Sequence, residues 1–178
     1  MGKLNIPVIP PEELAQLELS EYARPRVEQT QQLAPYGLPS NLDAWDGYPA
    51  ARERLFAMLR AHASNPISLA GDTHNGWAFN LTNARGEAVG VEWGTPGVSS
   101  PGLENYVPLP PEQMQTLLKG ASPELAACDT SRRGWTQVTL TPESATAQWR
   151  FVSSVVEPTY QVSAGKPLVT QRNARKLA

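Results

Sequence analysis

The apolar residues of this chain follow a helical rhythm near its start and alternate as in strands further on. Residues 11–23, PEELAQLELSEYA, predict a helix: Pro11 suits a first turn, Glu12 and Glu13 favour the positive end of the helix dipole, and Leu14 and Leu17 share a face. Residues 24–44 are polar and punctuated by proline, and they predict a connecting segment without firm structure. The run YPAARERLFAMLRAH predicts a stronger helix opening at Pro49. Its Leu55, Met58, Leu59 and His62 recur at i, i+3, i+4 and i+7, the spacing of one buried stripe, with Arg52, Glu53 and Arg60 mostly off it. Pro66 disfavours helix in the residue before it, so the helix is expected to stop near Ser64 and Asn65. His62 then reads as a helix-end histidine.

Next come a short apolar run, Ile67 to Ala70, and a polar loop, Gly71-Asp72-Thr73-His74-Asn75-Gly76. A helix, a buried strand and such a loop predict an α/β layer with the loop at the carboxyl end of the strand, where ligands gather in open α/β sheets. Trp77, Phe79 and Leu81 then alternate with Ala78, Asn80 and Thr82; after a turn at Asn83–Gly86, Val89, Val91 and Trp93 run in phase. That is a β-hairpin with one aromatic-rich face. Residues 94–111 form a long Gly/Pro/Ser loop, of the kind that carries function when ordered. A helix follows from Pro111 to Lys119, closed by Gly120. GWTQVTLT and ATAQWRFV flank Pro142-Glu143-Ser144 as a second hairpin, with Val138 and Leu140 facing Trp149 and Phe151. From Glu157 onward a mildly basic stretch (Lys166, Arg172, Arg175, Lys176) reads as a solvated, frayed tail.

Bulk properties narrow the classes. The 178 residues suit one ordinary domain with a sizeable core, at 18% charged and 40% hydrophobic. A formal net charge of −2 argues against a dedicated nucleic-acid binder. No apolar run approaches the roughly 18 residues of a membrane helix. The opening MGKLNIPVIPPEE lacks the apolar centre of a signal peptide, so the chain as written reads as cytoplasmic. Cys128 is the single cysteine, which excludes an intramolecular disulfide, and it reads as a small buried residue. Asn80-Leu81-Thr82 fits a glycosylation sequon but lies in a predicted strand and is discounted.

Histidine is scarce, with only His62 and His74 present. Asp72 and His74 are the one pair that reads as a ligand set. At an extended strand end, residues two apart point the same way, so this carboxylate and imidazole could converge on one cation, with Gly71 and Gly76 easing the turn. Asp and His together suit iron, zinc or manganese, and Asp also suits calcium. The bland alternative is an aspartate bonding nearby backbone amides beside a histidine in an ordinary hydrogen bond.

Three segments in order add context. ISLAGDTHNGWAFNL followed by VEWGTPGVSSPGLE resembles the late motif block of alkaline phosphatase D-type (PhoD-like) metallophosphoesterases, in which a G-D-x-H segment after a buried strand closes the metal site. DAWDGYPAARERLF resembles the W-D-G-Y-P stretch of that family and the helix after it. CDTSRRGWTQVTLTPESATAQWRFV resembles its R-G-[WY] strand and closing hairpin. The likeness spans roughly residues 40–155.

The resemblance implies an α/β fold, the carboxyl-terminal half of a metallophosphoesterase-type two-sheet sandwich flanked by helices, with antiparallel hairpins. It makes Asp72 and His74 metal ligands, with calcium and iron the implied ions. It places Thr73, Asn75, Trp77 and the loop Gly94–Gly102 in the wall of the site. Arg133 becomes the weak catalytic candidate, set against a surface or ion-pair role; Trp45, Asp46 and Tyr48 become packing and helix-entry residues. The implied chemistry is metal-dependent hydrolysis of phosphate mono- or diesters, in which bound metal lowers the pKa of water from about 15.7 to around 7. The other ligands of the family, on a cysteine-bearing strand end, a G-D-Y-like motif and a D-D-H-like motif, have no counterpart here. Expected partners are therefore a phosphate ester and either a missing upstream half or a second copy. The other reading is a non-catalytic interaction protein, or a remnant that binds metal or phosphate. An export route, periplasmic or extracellular, belongs to the case of a longer protein. The expected organisation is an amino-terminal helix and connector (1–40), the phosphatase-like part (41–156) and the tail (157–178). Half a sandwich is also expected to expose the apolar inner face of its sheet.

Overall fold

The computed structural model describes residues 1–39 and 41–178. Ser40, where the connector is expected to give way to the phosphatase-like part, lies outside the described residues. Helices α1 (Pro11–Gln16), α2 (Arg24–Leu33) and α3 (Pro49–His62) come first, then strands β1 (Ile67–Ala70), β2 (Gly76–Thr82) and β3 (Ala88–Gly94). Helix α4 (Pro111–Ala121) follows, and the chain continues in strands β4 (Leu125–Asp129), β5 (Gly134–Leu140), β6 (Ser144–Val152), β7 (Val162–Ala164) and β8 (Leu168–Gln171). The first predicted helix is shorter than expected, ending at Gln16, and the supposedly unstructured stretch after it contains α2. Pro25 in the first turn of α2 supplies the helix start that the polar composition masks.

Two four-stranded sheets form the body of the protein. In the first the order is β1-β3-β2-β4, with β1 parallel to β3 and the other pairs antiparallel. In the second, β6 pairs with β5 along one side and shares its other side between β7 and β8. The sheets pack through Ala78, Val91 and Trp93 of the first and Ala145, Ala147, Trp149 and Phe151 of the second. Each sheet thus covers the inner face of the other, and among the described residues the exposed apolar face expected of half a sandwich does not appear. On the opposite side of the first sheet, Trp77, Phe79, Leu81 and Val89 pack against Phe56 of α3 and against Met114 and Leu118 of α4.

Several faces differ from the periodicity reading. A register shift between Leu81 and Thr82 puts Val89 in the helix-side core, while Val91 and Trp93 face the other sheet. The hairpin therefore carries aromatics on both faces, because one extra residue reverses every later side chain. In α3 the buried positions are Arg52 and Phe56, whereas Met58 is 61% exposed and His62 is exposed. Arg52 can be buried because its guanidinium lies 4.3 Å from the centre of the Phe56 ring and bonds the carbonyls of Met1 and Thr82 and the carboxylate of Glu124. Gly120 lies inside the last turn of α4, which ends at Ala121 with Ser122 as its cap. Val138 reaches the inter-sheet core, while Leu140 remains exposed. Trp45 and Tyr48 are exposed as well.

The expected frayed tail is instead built into the second sheet through β7 and β8. Thr170 is fully buried there. Arg175 donates from Nη2 to the carbonyls of Arg60 and Ala63 and from Nε to that of Ser64, satisfying carbonyls that α3 leaves without partners at its end.

Candidate metal-binding loop

The loop between β1 and β2 holds the predicted ligand pair, in a conformation other than an extended strand end. Residues 72–75 form a bend, and Asp72 and His74 both adopt left-handed backbone, with φ of 73° and 59°. Such conformations are uncommon outside glycine and are retained only where the surroundings enforce them. The turn is thus made at the two candidate residues themselves. Gly71 and Gly76 do not make it: Gly76 begins β2, where a Cβ would stand 3.0 Å from the Trp149 ring.

The neighbours of His74 fix its ring. Nδ1 lies 2.9 Å from the carbonyl oxygen of Pro101. A carbonyl can only accept, so Nδ1 carries the proton and Nε2 keeps a free lone pair. That orientation by a backbone carbonyl is what metal-binding histidines commonly show. Gly97 lies against the same residue, where an added Cβ would fall 3.0 Å from the His74 Cβ. The Asp72 carboxylate is exposed. A carboxylate oxygen and an imidazole nitrogen suit hard to borderline cations, so the donor types fit the implied metals. Their number does not make a centre: among the described residues no group of three or more His, Cys, Asp or Glu side chains could hold a metal ion.

The predicted wall residues are all engaged here. The Trp77 indole N–H donates to the Thr73 hydroxyl at 2.6 Å, tying β2 back to the loop. Asn75 is 3% exposed, and its Oδ1 accepts the Leu103 N–H at 3.3 Å. The loop Gly94–Gly102 wraps this side through Gly97 and Pro101. Arg133 is buried, at 7% exposure. Its guanidinium donates to the carbonyl of His74, to that of Arg132 and to the Glu104 carboxylate. Glu104 was missed by sequence reasoning; a lone acid in a Gly/Pro loop gives no periodic signal. Asp129 shapes the turn that delivers Arg133, its Oδ1 accepting the N–H groups of Ser131 and Arg132 and its Oδ2 the Arg132 guanidinium.

Two titratable groups outside this loop are shifted by burial. Burial pushes the Cys128 thiol up to about 11, helped by the neighbouring Asp129 carboxylate and opposed by Lys119. Buried Cys128 thus occupies a strand as an inert small residue. Burial also raises the Asp46 carboxyl, against the lowering effect of the Leu4 N–H bonded to it. Among the described residues, no helix is long and apolar enough to cross a membrane.

Comparison with known proteins places the chain among relatives. The chain is 29% identical over 138 residues to alkaline phosphatase D of Bacillus subtilis (strain 168), covering 75% of this chain and 23% of that protein. It resembles the solved structure titled "Structure of PhoD" with a TM-score of 0.58 and 26% identity, over 76% of this chain and 26% of that one. The chain therefore spans about a quarter of the length of these relatives. The profile of the PhoD-like phosphatases matches residues 14–149, and the chain belongs to that family.

Proposed function

We propose that this chain is the carboxyl-terminal part of a metal-dependent phosphoric ester hydrolase, an alkaline phosphatase or phosphodiesterase, to which it supplies Asp72 and His74 as late metal ligands. In this reading its two sheets are the carboxyl-terminal part of the metallophosphoesterase fold. The observation that carries the proposal is the pairing of left-handed backbone at both residues with a His74 ring held by Pro101 so that Nε2 is free. Calcium and iron are the ions the family resemblance favours. Bound metal would neutralise phosphoryl charge and supply a hydroxide-like water at neutral or alkaline pH. The residues of this chain contribute position: Asp72 and His74 offer donors, Pro101 fixes the tautomer, and Arg133 with Glu104 holds the loop that carries them. Two donors are fewer than the four or more that such ions take, so the remaining ligands come from polypeptide outside these 178 residues and the chain alone is inactive.

The test joins this chain to the part of the enzyme that bears the other ligands. His74→Ala is expected to lower metal content and to reduce hydrolysis of aryl phosphate mono- and diesters by more than ~100-fold, since loss of even an outer-shell partner costs 10–100-fold. Unchanged metal content and turnover would remove the proposal.

A second reading, a non-catalytic interaction or metal- and phosphate-binding remnant, draws support from the mutual covering of the two sheets, which gives the chain a core of its own. Light scattering and calorimetry together separate the cases: a monomer that gives no heat with metal or phosphate and binds no second copy counts against this reading.

A further inference from the structure

Beside the loop lies a cavity of about 370 Å³, large enough for a small ligand. It opens between the amino-terminal segment with α2 on one side and the first sheet with α4 on the other. Ile6, Val27, Trp77, Leu103, Met114 and Leu118 give it an apolar lining. At one end the lining turns polar, with Thr73, His74 and Asn75. The Asn75 amide there is anomalous. Its Oδ1 is used by the Leu103 N–H, but its buried Nδ2 has no partner. Any side chain at residue 102 would intrude on that amide, because a Cβ added to Gly102 would lie 2.3 Å from Nδ2. A buried donor without an acceptor is costly and calls for an explanation, of which a bound ligand is one; Asn5 Oδ1, on another residue lining the cavity, also has no partner.

We propose that this cavity binds the apolar alcohol portion of a phosphate ester, alkyl or aryl, with Asn75 Nδ2 donating to an ester or phosphoryl oxygen at its His74 end. The proposal rests on the phosphoesterase reading and names its substrate class. A largely apolar, half-open cavity with an unsatisfied donor and the candidate ligand His74 at one end matches an amphiphile with a single phosphorylated end. Of the polar groups at the α2 side, Arg26 donates to the Tyr22 carbonyl and lies over the Tyr22 ring. Gln31 is occupied by Pro7 and Ile9, and Thr30 by the Arg26 carbonyl.

Binding can be measured on this chain without metal, by calorimetry with ethyl, butyl and octyl phosphate below micellar concentrations. Affinity is expected to rise about fourfold per buried methylene until the cavity is filled. Octanol binds more weakly than octyl phosphate, and inorganic phosphate gives no measurable heat. Comparing octyl with 1-naphthyl phosphate tells a flexible alkyl from a rigid aryl preference. Val27→Trp, which fills the cavity from α2, is expected to abolish the chain-length dependence while circular dichroism stays unchanged. Asn75→Asp keeps the acceptor for Leu103 but replaces the donor, so octyl phosphate binding drops at least ~10-fold and octanol binding persists. Affinity independent of chain length, undiminished binding in Val27→Trp, or equal binding of octanol and octyl phosphate with a silent Asn75→Asp would each overturn the proposal. Chain-length dependence without hydrolysis in the joined enzyme would instead count against the phosphoesterase reading and leave the cavity assignment standing.

Discussion

The carbonyl oxygen of His74 accepts a hydrogen bond from the guanidinium of Arg133, although 59 residues separate the two in the chain. The same guanidinium pairs with Glu104, so one buried arginine joins the β1–β2 loop, the turn before β5 and the long loop ahead of α4. Its position braces a loop that contains two left-handed residues. Arg133→Met is expected to lose roughly 2–3 kcal/mol of stability, below the full cost of breaking a buried pair because Glu104 remains partly exposed. Urea unfolding measures the loss. Arg133→Lys is expected to recover only part of it, since an ammonium cannot reproduce the planar fork.

His74 is expected to be the Nδ1–H tautomer, the form its bond to Pro101 requires. With only two histidines in the sequence, long-range proton–nitrogen spectra can identify both rings. Gly97→Val places a branched side chain where even a Cβ stands 3.0 Å from the His74 Cβ. That variant is expected to shift the His74 signals, leave those of His62 in place, and cost about 1–3 kcal/mol through overpacking. An unperturbed His74 spectrum would contradict the close contact.

Cys128 makes a pH prediction. Its thiol is raised from the ordinary value of 9.0 to about 11, so in the folded protein it holds its proton after the unfolded chain has lost it. The associated stability is fully present below pH 9 and declines as pH rises toward 11. Comparing unfolding of the parent and Cys128→Ala across that window isolates the effect: the parent is expected to lose more stability than the variant. At pH 8 the native thiol is expected to resist alkylation and to react once the protein is unfolded.

Arg175 closes the carboxyl end of α3 by bonding three carbonyls there, that of Arg60 in the last turn and those of Ala63 and Ser64 just after it. Arg175→Ala is expected to destabilise the protein by about 1–3 kcal/mol through carbonyls left without partners. Hydrogen exchange is expected to quicken at the end of α3 and in β8, and to stay unchanged in β2 and β3. Equal protection throughout would mean that the final segment does not depend on this cap.

Local pattern determined much about this protein. Pro49 and the following run established α3; the alternation around Asn83–Gly86 and around Pro142–Ser144 established both hairpins; Gly71 to Gly76 identified the loop and its two candidate ligands. These features depend on residues close together in the chain, so neighbouring positions suffice to read them. The faces were a different matter. The shift at Leu81/Thr82 sends Val89 and Val91 to opposite cores, and only strand partners reveal it. Arg52 looked like a solvent residue because its carbonyl and carboxylate partners lie at Met1, Thr82 and Glu124. The tail looked frayed because β7 and β8 are only three and four residues long, stable only once β6 offers its open edge. Tertiary structure likewise decided that Arg133 turns inward to His74 and Glu104 and that a cavity forms beside the loop. Burial and hydrogen bonding across long sequence separations set both, and neither leaves a periodic trace along the chain.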